Sequence, residues 1–149
     1  MTKPHSTMKV GAVNVLISDA DDAFYEVMCL ALSEAATSIV THRLDAHAHL
    51  MPYLHRELPF AEHVRPDVIL MGMGILESDE TDTLEQIKSD PSMRRIPIVF
   101  LTHPGSAVRI ETLYEKGANS CLCKPRTPDA CRELAGLIAD YWFDVVSLA

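Results

Sequence analysis

Short apolar, β-branched runs alternate with helical patterns along the whole chain, and that alternation limits the fold more than any other feature. Runs at 13–18 ("VNVLIS"), 38–42 ("SIVTH"), 67–71 ("DVILM"), 96–102 ("IPIVFLT") and 120–123 ("SCLC") predict strands. Between the first two, Phe24, Val27, Met28, Ala31 and Ala35 recur at helical spacing over 22–35. A helix after Asp45 is kinked or shortened by Pro52. Residues 82–89 predict a helix with Leu84 and Ile87 inward, ended by Asp90-Pro91. Another over 108–116 closes on Gly117. Thr127-Pro128 starts a last helix reaching about residue 145, with Leu134, Leu137, Ile138 and Tyr141 inward. Five successive β-α units predict an α/β fold, a doubly wound five-stranded parallel sheet in three layers with helices on both faces.

Such sheets bind ligands past the carboxyl ends of their strands. Ser18-Asp19, Gly72, Thr102 and Lys124 end the first, third, fourth and fifth runs and are the expected site residues. Gly72-Met73-Gly74 is unusual there, because the position that should point into the site has no side chain. Alone, the two glycines are a turn or bulge.

A length of 149 residues suits one domain, expected over residues 11–149 after a lead-in at 1–10. The lead-in lacks the apolar segment of a signal peptide, and no apolar run approaches the roughly 20 residues of a membrane helix. A net charge of −8 argues against general nucleic-acid binding. Cys29, Cys121, Cys123 and Cys131 match neither a zinc spacing nor a disulfide framework, and are expected as thiols in a cytoplasmic protein.

"IPIVFLT" and "KGANSCLCKP", taken with the strand-end positions, resemble the receiver domain of two-component response regulators. "QIKSDPSMRRIPIVFLTH" and "ADYWFDVVSLA" are similar to the single-domain regulators that pair with bacteriophytochrome-type histidine kinases. The resemblance implies a flavodoxin-like sheet of order 2-1-3-4-5. It also implies an aspartate ending the third strand that accepts a phosphoryl group from a kinase histidine. Two acids ending the first strand and a backbone carbonyl two residues past the acceptor would hold Mg²⁺, and a Ser/Thr and a Lys would stabilise the phosphoryl group. Thr102, Lys124, Pro125 and Asp19 match that pattern. Ser18 replaces the first acid, Cys121 the usual aromatic switch residue and Gly72 the acceptor itself, while Gly74 holds the carbonyl position.

The implied pocket thus lacks its nucleophile. An acyl phosphate needs a carboxylate in line with the donor, and glycine has none. With Asp19 facing Lys124, an ion pair is expected in place of the metal, so Mg²⁺ binding is weak or absent and no cofactor is expected. The expected function is a non-enzymatic pseudo-receiver that binds a histidine kinase or another signalling protein without aspartyl phosphorylation. Excess apolar residues at the C-terminus (Tyr141, Trp142, Phe143, Val146) predict a homodimer interface with the fourth-helix, fifth-strand and fifth-helix side.

Other readings are a phosphorelay receiver using another acid, such as Glu77 or Asp79, and a flavodoxin-like nucleotide or flavin enzyme. "SDADDAF" after the first strand is acidic where a phosphate loop is glycine-rich, against the last. Asp19 could instead cap the first helix, with Asp21 and Asp22 favouring its dipole or one of them slipping into the pocket. His103 is a loop residue or pocket ligand. His47 and His49 face apart on a helix and do not share a metal.

Overall fold

A computed structural model describes residues 12–46, 49–56, 64–72, 78–103 and 110–141. Its elements are β1 (Val13–Ser18), α1 (Asp22–Ala35), β2 (Ile39–Leu44), α2 (Leu50–Leu54), β3 (Val68–Gly72), α3 (Ser78–Ser89), β4 (Ile98–Thr102), α4 (Ile110–Glu115), β5 (Ser120–Cys123) and α5 (Pro128–Asp140). All strand pairs are parallel, in the order β2-β1-β3-β4-β5.

Alternation along the strands divides the core. Val15, Ile17, Leu70 and Leu101 pack with Met28 and Leu32 of α1 and Leu134, Ala135 and Ile138 of α5. Leu16, Ile69, Met71 and Phe100 pack on the other face with Tyr53 of α2, Leu84 and Ile87 of α3 and Leu113 of α4. β3 lies at the centre, and all five of its residues are buried. β5 is an edge strand and only partly covered.

The sequence cues place most elements well, with shifts at their ends. β2 runs to Leu44, two residues further than expected, because it follows β1 in register as far as Ser18. α2 is five residues long and contains Pro52, so the proline shortens rather than bends it. α3 begins four residues earlier than expected, at Ser78. Gly117 closes α4 with φ 115°, a conformation that requires glycine.

Side-chain expectations are corrected in two helices. In α1 the buried stripe is Phe24, Met28, Ala31 and Leu32, so Val27 lies at its flank and Ala35 is exposed. In α5 the stripe is Cys131, Leu134, Ala135, Ile138 and Ala139. Leu137 and Tyr141 fall beside it and are 63% and 47% exposed. The cysteines at 29, 121, 123 and 131 are unbridged. Among the described residues no helix is long and apolar enough to cross a membrane.

Candidate functional site

Strand register places the key residues. Ser18 pairs with Met71, so the next residues, Asp19 and Gly72, are neighbours at the carboxyl ends of β1 and β3. Ile17 and Leu70 face the α1/α5 layer. By alternation Asp19 and Gly72 face it too. Gly72 makes room for Asp19: a Cβ on residue 72 would lie 1.9 Å from Asp19 Oδ2 and 2.6 Å from its Cγ. The Asp19 carboxylate therefore occupies the space where a side chain of residue 72 would begin.

Across from it stands Lys124, one residue beyond β5 and aligned by its N–H bond to Thr102 O at 2.8 Å. Lys124 Nζ is 2.8 Å from Asp19 Oδ2, and both side chains are more than nine-tenths buried. Oδ2 is thus held by the ammonium as a buried ion pair. Asp19 Oδ1 accepts the Asp21 N–H at 2.9 Å, which folds the turn after β1 back on itself. Lys124 Nζ also donates to Asp21 Oδ2 at 3.3 Å and lies 4.7 Å from the centre of the Phe24 ring. The N-cap of α1 is Asp21, whose Oδ1 accepts the Phe24 N–H, and not Asp19. That bond, with Lys124 nearby, holds the Asp21 carboxyl below its ordinary value against the effect of burial. Asp22 pairs with Arg43 at 2.7 Å, and Arg43 donates to the Asp19 carbonyl.

The other expected residues fare differently. Ser18 is fully buried, on the Leu16 side of β1 by alternation. The Thr102 hydroxyl donates to Leu122 O at 3.3 Å and is directed at the β5 backbone. Cys121 lies against the α2–α4 layer, its N–H donating to Tyr114 Oη at 3.3 Å, and burial pushes its thiol up. Pro125 and His103 line a cavity of about 360 Å³ with Asp21, Phe24, Lys124 and Arg126. Gly74, Glu77, His47, Trp142, Phe143 and Val146 lie outside the described residues, as does the side chain of Asp79. Phe24 reads from sequence as a core position and Arg43 lies in a stretch without a motif, so neither signals its place beside Lys124 or Asp19.

The fold is that of a receiver-type domain. No family model matches the chain. The response regulator Rcp1 of Synechocystis sp. is 28% identical over 116 residues, covering 75% of this chain and 78% of the relative. The crystal structure of the phosphorylated cyanobacterial phytochrome response regulator RcpA matches with a TM-score of 0.80 at 23% identity, covering 90% of this chain and 96% of that one. The Mn²⁺-bound form of Rcp1 matches with a TM-score of 0.72 at 22% identity, covering 89% and 95%. The chain is homologous to Rcp1 and has the fold of the response regulator receiver domains of two-component systems.

Proposed function

We propose that this chain is a pseudo-receiver: a signalling module that acts by binding other proteins and is not phosphorylated at the end of β3. The observation that carries this reading is the exchange at Gly72, where a carboxyl is missing and its place is taken by Asp19, already paired with Lys124. Asp19 itself is a poor substitute nucleophile, since its Oδ2 is buried and unreachable by an in-line phosphoryl donor. The donor set does not fit the Mg²⁺ that the fold implies. Ser18 and Gly72 bring no carboxylate, and an ammonium stands 2.8 Å from Asp19 Oδ2.

The partner on this reading is a histidine kinase, the phytochrome kinases being one type, or another signalling protein of the cytoplasm. A second copy is also expected on the β5 side, where Tyr114, Leu122, Leu137 and Tyr141 are exposed and an apolar cavity of about 500 Å³ opens between β5 and α5. Light scattering of wild type and Leu137→Glu tests this. A dimer that the substitution splits supports the interface, and a monomeric wild type contradicts it.

Incubation with acetyl phosphate and Mg²⁺, followed by intact-mass measurement, tests the main reading. The expected result is no phosphoryl adduct. An adduct would overturn it, and one mapped to Asp21, the half-exposed carboxylate beside Lys124, would favour a receiver using another acid.

A further inference from the structure

Asp19 is held from both edges of the sheet. Its N–H donates to Leu44 O at 3.0 Å, at the end of the edge strand β2. Its carbonyl accepts from Arg43 Nη2 at 3.2 Å and from Arg43 Nε at 3.4 Å. Its carboxylate lies over Gly72 of β3 and meets Lys124, which stands one residue past the other edge strand, β5. β2 and β5 are four strand spacings apart, about 19 Å at the usual inter-strand distance. Two long side chains and one turn residue bridge that width, and the missing Cβ at position 72 leaves the middle of the bridge open.

The β2 end of this bridge is firmly seated. The Arg43 guanidinium also pairs with Asp22 at 2.7 Å and lies 5.0 Å from the centre of the Tyr25 ring on α1. The Arg43 side chain is 23% exposed and that of Asp22 is 80% exposed, so solvent screens the pair and the carbonyl bonds carry more of the hold. We infer that Arg43 is the positioning residue for the Asp19–Lys124 pair, and that Arg43, Asp19 and Lys124 together couple the β2 edge of the sheet to the β5 edge. A partner that draws Arg43 off the Asp19 carbonyl loosens the Lys124 end, and contacts on the β5 side act on β2 in return. The coupling rests on the function proposed above only in that a second copy is expected on the β5 side.

Acetylation of lysine amines by acetic anhydride, followed residue by residue with mass spectrometry on the full native chain, tests this. Lys124 is expected to react slowly in the wild type. Arg43→Met should raise its rate about tenfold or more, the change in local opening that follows loss of hydrogen bonds from a charged group. Lys88, tied to its own acceptors Arg94 O, Ile96 O and Asn119 Oδ1, should keep its rate and reports any general loosening. Asp22→Asn should change the Lys124 rate little. Arg43→Gln serves as the second variant should Arg43→Met be poorly folded. An unchanged Lys124 rate, a rise shared equally by Lys88, or a rise as large in Asp22→Asn would overturn the inference. A phosphoryl adduct from acetyl phosphate would overturn the pseudo-receiver reading and leave the lysine rates to decide the coupling.

Discussion

Each end of the sheet joins a lysine to a glycine, and the two junctions are built differently. At the amino end, Lys88 Nζ donates to Arg94 O at 3.0 Å, Ile96 O at 2.7 Å and Asn119 Oδ1 at 3.1 Å. Its stem crosses Gly117, where a Cβ would lie 2.3 Å from Lys88 Cγ. At the carboxyl end, Lys124 faces Asp19 over Gly72, with Nζ 2.8 Å from a buried carboxylate oxygen. The first junction gives each N–H of an ammonium a neutral acceptor. The second sets charge against charge in a buried place. An ammonium shared among neutral oxygens marks a structural tie, whereas a buried ion pair at the carboxyl ends of the strands stands where such sheets hold their ligands.

The largest effect should come from Lys124→Met. Removing one partner of a buried ion pair strands the other charge, which costs about 3–5 kcal/mol. Urea unfolding would show it as a lower midpoint, and an unchanged midpoint would mean the pair carries no weight.

Next come the glycines. Gly72→Ala should cost about 1–3 kcal/mol by overpacking. Much of that should vanish in an Asp19→Ser background, because the clash is with the Asp19 carboxylate. Gly117→Ala should cost about 1–3 kcal/mol through its positive φ, and the same in either background. Equal coupling of both glycines to Asp19 would erase the distinction between the two ends.

Lys88→Met should cost about 1–2 kcal/mol, since the lost bonds are to neutral acceptors and partly exposed. A loss as large as that of Lys124→Met would break the comparison from the other side.

The smallest effect concerns pH. Asp90, also at the amino end, has both oxygens bonded, to His55 Nε2 at 2.8 Å and to Ser92 N and Oγ at 2.8 and 2.7 Å. The His55 bond first, then those from Ser92, lower its carboxyl from 3.8 to about 2. A carboxyl lowered on folding adds stability above its unfolded value, and that stability is lost as pH falls through the folded one. Asp90→Asn should therefore flatten the acid limb of the stability curve between about pH 4 and 2. An unchanged limb would contradict the assignment.

The sheet order was legible because five apolar runs alternate with helical periods and parallel crossovers leave few windings. Asp19, Gly72 and Lys124 were legible because all three stand at strand ends on the same face. Ser18 and Thr102 also stand at strand ends, but alternation gives them the opposite face, and linear position alone does not carry that distinction. Phe24 and Arg43 were hidden for another reason. Each satisfies a local pattern, a helix stripe or an edge strand, and gains its place beside Lys124 or Asp19 only through packing between elements. The swing of Asp19 into the space over Gly72 follows from a missing Cβ, and distance to a side chain 53 positions away is not written in sequence.

A crystal structure grown in excess Mg²⁺, at a resolution that separates ion from water, tests the central claim most directly. The prediction is an Asp19 carboxylate lying over Gly72, within ion-pair distance of Lys124 Nζ, and no metal between them. A hydrated ion held by Asp19, with the Lys124 side chain turned away, would contradict it.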